Sequence, residues 1–288
     1  MPEGDTVWRT AHRLHQALAG ERVQVWDLRF PELATTDLRG ATTTEVVSRG
    51  KHILHRLDAG VTLHSHLRME GQWRVEAPAD LPRWLRRADL RAAVATSTWG
   101  ALGLRLGMLD LVPTDREDDL VGHLGPDVLG PDWDADLAKA NLRASPTTIG
   151  AALLDQRNLA GVGTLWASES LFIERVPPWT PAADLTSEVI DRLVTRAHRL
   201  LDTARHHAVQ SSTGNRRRGE ESYVHARSGR PCRRCGTGIR VAMIGPAGQE
   251  RTMFYCPGCQ GGLGPTDDGR PQRPMGSTGG RTNAYRRA

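Results

Sequence analysis

The 288-residue chain contains no apolar run of the roughly 18 residues that a membrane-spanning helix needs. Its first residues, MPEGDTVWRT, are acidic and polar, without the basic start and apolar stretch of a secretory signal. A cytoplasmic protein with no membrane partner is expected. Cysteine is scarce: there are four, and all lie between positions 232 and 259. In a reducing compartment they are expected to stay reduced or to bind a metal, not to form disulfides. Internal repeats are absent, which removes solenoids and propellers. Lysine is missing from the last third. From Arg205 onward there are 15 Arg, no Lys and 5 acidic residues, a formal +10, whereas residues 1–204 carry 23 basic and 28 acidic residues. Positive charge gathered at one end suits a polyanionic partner, although a basic solubility tail has the same composition.

What is present falls into two textures. Val7, Trp8, Ala11, Leu14 and Leu18 recur at helical spacing and predict a helix over 6–19, with Asp5 or Thr6 able to cap it and Gly20 after its end. Between 22 and 112, short alternating or β-branched runs predict strands at 22–30, 42–47, 52–57, 61–67, 72–75, 90–95 and 102–112. Beyond Pro113 the pattern turns helical, with candidates at 118–123, 133–143, 146–155, 164–172 and 187–210. The expected class is α+β: an antiparallel β-sandwich or barrel with a long N-terminal helix over 1–115, and a helical domain over 116–228. A cysteine-bearing segment follows over 229–262. From 263 to 288, Gly, Pro, Arg and Ser dominate and a disordered tail is expected.

Cys232-Arg-Arg-Cys235 and Cys256-Pro-Gly-Cys259 are two knuckles separated by twenty residues. Each knuckle offers two thiolates to one ion, and two knuckles complete a tetrahedral set. One structural Zn2+ is the expected cofactor; a redox dithiol or a pair of disulfides would not explain the paired, glycine-flanked spacing as well. Four protein ligands leave no open position, so this ion shapes the fold. Arg233, Arg234, Arg240 and Arg251 on such a finger can offer cations to a phosphate backbone.

Pro2 and Glu3 admit two readings. Proline and acidic residues are ordinary at helix starts. Yet removal of Met1 in front of a proline would expose a secondary amine that titrates near pH 8 and is partly neutral at physiological pH. A neutral amine can attack an electrophilic sugar carbon, with Glu3 beside it as acid or base.

A Pro-Glu start combined with a C-terminal double-CxxC finger resembles the formamidopyrimidine-DNA glycosylase/endonuclease VIII family, over about residues 2–262. Segments between them fit in order: Arg49-Gly50-Lys51, Ser65-His66-Leu67-Arg68-Met69-Glu70-Gly71, Leu124-Gly125-Pro126-Asp127-Val128-Leu129, Asp155–Thr164, and Tyr223-Val224 leading to Arg230-Pro231-Cys232. The resemblance implies a helix-two-turns-helix domain ending in a β-hairpin zinc finger. It implies a monomer acting on damaged DNA as a bifunctional glycosylase and abasic-site lyase. Pro2 would be the Schiff-base nucleophile and Glu3 the proton donor at base loss. Lys51 and Arg251 would grip phosphates and assist the two eliminations. Arg68, Met69 and Glu70 would fill the gap left by the extruded base, although strand alternation could equally bury Met69. His123, Asn158 and Thr164 would contact DNA; many relatives carry asparagine at the position of Thr164, and glutamate at that of Thr6.

The branch that acts on 8-oxoguanine tends to start PELPE and to carry a DPRRF-like strand end. Here the start is Pro2-Glu3-Gly4-Asp5, the strand end reads Leu106-Gly107-Met108-Leu109-Asp110, and residues 211–221 are short for a lesion-capping loop. Oxidised pyrimidines are the expected substrates. The alternatives are a purine-lesion glycosylase of the same family and a DNA-binding zinc protein without catalysis. Affinity for duplex DNA is expected to fall steeply with added salt, read as the slope of log Kd against log salt concentration. A flat slope would leave the basic third without a DNA-binding role.

Overall fold

The computed structural model describes residues 2–274. Helix α1 (Gly4–Leu18) buries Val7, Ala11, Leu14, Ala17 and Leu18 along one stripe. It begins two residues earlier than the periodicity suggests. Glu3 holds the cap position without using its carboxylate on its own helix.

Eight strands follow: β1 (Val25–Leu28), β2 (Thr43–Arg49), β3 (His52–Leu57), β4 (Val61–His66), β5 (Gln72–Glu76), β6 (Leu90–Ala95), β7 (Gly100–Leu104) and β8 (Met108–Pro113). They form two antiparallel four-stranded sheets, β2-β3-β4-β8 and β1-β6-β7-β5. Val46, Ile53 and Leu63 of one sheet and Trp26, Ala92 and Val94 of the other share a core with α1. The stretch expected as one strand over 102–112 is two strands in different sheets. The chain changes sheet at Arg105, which has φ 49°, just beyond the end of β7. Apolar content was continuous there, so composition did not mark the corner. A short helix α2 (Leu81–Leu85), too brief for periodicity to show, lays Leu81 and Trp84 on the outer face of the second sheet.

The helical part comprises α3 (Asp118–Val121), α4 (Ala135–Ala144), α5 (Ile149–Leu154), α6 (Thr164–Ile173) and α7 (Ser187–Arg205). α6 is buried on nearly every side, its polar Thr164, Ser168, Glu169 and Ser170 included. Trp166 and Leu171 pack among Leu142, Ile149, Leu153, Leu193 and Leu201. α7 ends at Arg205, five residues short of the expected Gln210, whose side chain instead reaches Asp5 of α1. The last element is an antiparallel hairpin of β9 (Arg240–Ile244) and β10 (Arg251–Tyr255), seated on α6 through Ile244, Met253 and Phe254.

Two expectations are corrected at this hairpin. Residues 263–274 do not trail away: the Asp267 carboxylate is ion-paired with the Arg240 guanidinium and accepts the Tyr255 hydroxyl. The Gln272 side chain bonds both the N–H and the C=O of Val241, at 2.8 and 2.9 Å. Arg240 is therefore buried in an internal pair and is not offered to phosphates. Composition suggested disorder because it could not show that one carboxylate and one amide complete the exposed polar edge of the hairpin. Residues 275–288 of the expected tail lie outside the described residues.

Removing one member of a buried ion pair leaves the other charge unsatisfied. Asp267→Ala is expected to destabilise the hairpin region by about 3 kcal/mol, read from denaturant unfolding; a loss below about 1 kcal/mol would make the strap an exposed, dispensable contact.

Candidate active site

The site is built where the start of α1 meets the start of α6. The N–H of Gly4 donates to the carbonyl of Gly161 at 2.9 Å, which draws the N-terminus against the turn before α6. Glu3 is fully buried. Its carboxylate accepts the N–H groups of Gly163 (2.8 Å), Leu165 (2.7 Å) and Trp166 (3.3 Å). These belong to the first turn of α6, where amides have no partner within the helix and the dipole favours negative charge. Only glycine fits at 163: a Cβ there would stand 2.6 Å from the carboxyl carbon of Glu3. Asp5, also buried, accepts Trp166 Nε1 at 2.9 Å and Gln210 Nε2 at 2.8 Å. Burial pushes the Glu3 carboxyl above its ordinary range, and the Lys51 charge and the helix amides pull the other way.

Lys51 follows the tight turn between β2 and β3. Gly50 there has φ +57°, and its N–H donates to Asp127 Oδ2 at 2.8 Å. The other Asp127 oxygen accepts the Leu129 N–H at 3.0 Å, so one carboxylate ties the strand turn to the helical part. Lys51 Nζ donates to the Val162 carbonyl at 2.7 Å, as does Gln156 Nε2 at 2.9 Å. Gln156 Oε1 in turn accepts the Gly161 N–H at 3.0 Å. Burial lowers the Lys51 ammonium to about 8; Glu3 opposes that shift and Arg251, at the start of β10, adds to it. Pro2 is half-buried immediately before Glu3. Sequence-distant Pro2, Glu3, Lys51 and Arg251 thus gather at one place.

The other expected contacts divide. Arg68, Met69 and Glu70 are exposed at the end of β4, and Met69, 62% exposed, is not a core residue. His123 is exposed and close enough to His52 to act on its charge. Asn158 spends its amide N–H on the Ala152 carbonyl at 2.9 Å. Thr164 is 4% exposed, which leaves its hydroxyl little open surface. Arg233 holds the Ser222 carbonyl, and Arg234 lies over the Phe172 ring. Asp5, expected with Thr6 as a candidate cap of α1, lies inside the helix and binds Trp166 and Gln210 instead; nothing in the sequence marks Asp127, Gln156 or Gln210 for a role in the site. Asp127 and Gln156 lie within recognisable segments, but nothing local to them reveals partners across the chain.

A hollow of about 300 Å³ adjoins the Glu3 site, lined by Leu165, Val209, Gln210, Ser222 and His225. One wall is fixed by buried Glu169, which accepts the N–H groups of Tyr223 (2.9 Å), Val224 (2.8 Å) and His225 (2.8 Å). Farther along the hairpin, the sulfurs of Cys232, Cys235, Cys256 and Cys259 all lie within 4.8 Å of one another. The Cys232–Cys259 and Cys235–Cys256 separations are 3.9 and 3.5 Å. Four thiolates around one Zn2+ at 2.3 Å stand about 3.8 Å apart, so the donor set and its size fit that ion.

A buried carboxylate on a helix N-terminus, directly after Pro2 and near Lys51, in a chain that also carries a four-cysteine finger, fits a class of DNA repair glycosylase/lyases. The comparisons agree. Residues 1–102 match the formamidopyrimidine-DNA glycosylase N-terminal domain, and residues 124–215 match its H2TH domain. The chain belongs to the formamidopyrimidine-DNA glycosylase/endonuclease VIII family. It is 48% identical to the probable endonuclease 8 2 of Streptomyces coelicolor, over 94% of this chain and 98% of that protein. It is 41% identical to the DNA-(apurinic or apyrimidinic site) lyase Nei2 of Mycolicibacterium smegmatis, over 90% and 99%. Among solved structures, the formamidopyrimidine-DNA glycosylase of Lactococcus lactis, bound non-covalently to DNA containing an abasic site, superposes with a TM-score of 0.74 at 25% identity. It covers 90% of this chain and 99% of that one.

Gly163→Ala is expected to push the Glu3 carboxylate off the α6 amides and to cut base-release kcat by about 100-fold, measured in single-turnover assays. Near-normal kcat would mean that the seat of Glu3 is not needed for its chemistry.

Proposed function

We propose that the protein excises oxidised bases from DNA, pyrimidines foremost, and then cuts the strand, with the Pro2 amine as nucleophile. The observation that carries this reading is the buried, helix-seated Glu3 placed one residue after Pro2 and within reach of the Lys51 charge. With Met1 removed, the neutral Pro2 nitrogen attacks C1′ of the damaged nucleotide. The N-glycosidic bond breaks and its electron pair leaves on the base. Glu3, whose carboxyl burial keeps protonated to higher pH than usual, delivers a proton as the sugar ring opens. The resulting iminium acidifies the 2′ carbon; loss of that proton expels the 3′ phosphate, and a second elimination expels the 5′ phosphate. Lys51 and Arg251 supply positive charge where those phosphates sit and depart.

The hollow beside Leu165 and His225 is the place for the extruded base, and its volume suits one small ligand. Met69 and its neighbours fill the vacated stack. A structural Zn2+ held by Cys232, Cys235, Cys256 and Cys259 would fix the two knuckles and so set the angle at which the hairpin carries Arg251. The pyrimidine preference is supported by the endonuclease 8 names of close relatives and by the missing purine-branch motifs. The protein is taken to act as a monomer on DNA in the cytoplasm.

Duplexes carrying thymine glycol, 5-hydroxycytosine, dihydrouracil or 8-oxoguanine, treated with borohydride, test this directly. Trapping and cleavage are expected chiefly at the pyrimidine lesions and are expected to vanish with a retained N-terminal tag that blocks the Pro2 amine. Preference for 8-oxoguanine would move the protein to the purine branch, and binding without any nicking would make it non-catalytic. Glu3→Gln is expected to slow base release by roughly 10²–10⁴-fold while a preformed abasic site is still trapped. Cys256→Ser is expected to lose zinc and weaken DNA binding, with the β-sandwich still folded by circular dichroism. Full zinc content in that variant would refute the four-cysteine site.

A further inference from the structure

The chemistry above leaves a group of histidines unused. His52 of β3 and His66 of β4 are register partners, and His64 of β4 is the register partner of Asp110 of β8. All lie on the same face of the first sheet, at the end that leads into Arg68-Met69-Glu70. Asp110 Oδ2 bonds His64 Nδ1 at 2.9 Å, and His64 Nε2 bonds His52 Nδ1 at 2.8 Å. The His52 ring stacks on His64 at 5.0 Å and stands edge-on to His66 at 4.9 Å and 77°. His66 Nδ1 accepts the backbone N–H of Arg68 at 2.9 Å.

The Asp110–His64–His52 bonds fix two protons in order, and the Arg68 N–H fixes that of His66 separately. An ionised Asp110 only accepts, so His64 Nδ1 carries a hydrogen and its Nε2 is bare. His52 Nδ1 must then donate. His66, which accepts at Nδ1, carries its hydrogen on Nε2. Lys51, Arg68, His123 and Glu117 are the other charged or titratable groups that act on this cluster. Burial lowers His52 to about 3 and His66 to about 4, so both are neutral near pH 7.

Arg68 needs this acceptor. Its φ is +55°, a left-handed conformation unfavourable for a side-chain-bearing residue. The turn is closed by the Gly71 N–H on the Leu67 carbonyl at 2.9 Å. Its side chain lies so close over Gly107 that a Cβ there would stand 2.2 Å from Arg68 Cγ. If His66 rotated or carried its hydrogen on Nδ1, two N–H groups would face each other and the turn would lose its register.

We infer that Asp110, His64 and His52 form a hydrogen-bonded spine that fixes the orientation of the edge-on His66 ring, whose Nδ1 accepts the Arg68 N–H, and thereby positions the Arg68–Glu70 wedge. This rests on the reading that the wedge enters duplex DNA during base extrusion. Asp110, His64 and His52 are positioning residues: they act on DNA only through the turn they hold. The spine therefore matters for a stacked duplex and not for an abasic site already exposed in a single strand.

The test uses the full-length protein, with 2-aminopurine next to a lesion to report unstacking and with separate kcat and KM for base release. Asp110→Leu and His64→Leu are expected to lower the 2-aminopurine signal and kcat by about tenfold or more, with KM within about twofold. Cleavage of single-stranded abasic DNA should be unchanged. Asp110→Asn should restore function, because its amide oxygen still accepts from His64 Nδ1. Wild-type behaviour in both leucine variants, or equal losses on single-stranded abasic DNA, would overturn the spine. Imidazole 15N spectra of the unmodified protein give a readout independent of variant folding. The spine predicts hydrogens on His64 Nδ1, His52 Nδ1 and His66 Nε2 in the neutral rings, with those of His52 and His66 unchanged between about pH 6 and 8; a protonated His66 Nδ1 would overturn it. A wild-type protein inactive on all abasic DNA would bring down the proposed function alone, and the spectra would still decide the spine.

Discussion

The rest of the structure depends on one buried carboxylate at the N-terminus of one helix. Glu3 precedes the first helix of the β-sandwich half, yet all three of its backbone partners lie more than 150 residues away, at the start of α6. A buried carboxylate is costly unless its lone pairs are satisfied. The amides of the first turn of α6 are costly unless they find an acceptor. Each settles the other, and the two halves of the chain are joined at the residue next to the proposed nucleophile. Lys51 on Val162 and Gly50 on Asp127 repeat the same device from the strand side. The proposed catalytic groups therefore sit on a seam between the β-sandwich and the helical part, held by backbone atoms of the turn before α6 and of its first turn.

The same seam sets the electrostatics. Burial disfavours the charged forms of both Glu3 and Lys51, and each charge moderates the shift of the other. Arg251 reaches the site from the hairpin and disfavours the Lys51 charge until an anion is near. A phosphate brought between Lys51 and Arg251 would relieve that repulsion. Under the proposed function, substrate binding and the charge state of the site would be linked through the hairpin that carries Arg251. The Asp267 strap grips Arg240 of the same hairpin that carries Arg251.

Legibility of the chain followed the range of the interactions. α1, most strands and the two CxxC knuckles are written in local spacing, and they were read with errors of a few residues. The corner at Arg105 was missed because apolar residues run through it without a break. α2 was missed because five residues hold little more than one turn. Pro2, Glu3, Lys51 and Arg251 could be singled out through the family resemblance, since Pro-Glu alone reads as an ordinary helix start. Asp127, Gln156 and the Asp110–His64–His52 chain were not legible in roles. Their partners are set by tertiary contact and sheet register, and neither motif nor composition records which residues face one another. Arg240 illustrates the converse: it was read as a phosphate contact because its acidic partner lies in a segment whose composition suggested disorder.

The central claim is that the secondary amine of Pro2 joins the sugar. Peptide mass mapping of the borohydride-reduced adduct formed with lesion-bearing duplex tests it most directly. The account predicts the added mass on the peptide beginning at Pro2, with Met1 absent. Mass on Lys51 or Lys139, the only lysines of the chain, or normal strand cleavage by protein that retains Met1, would contradict it.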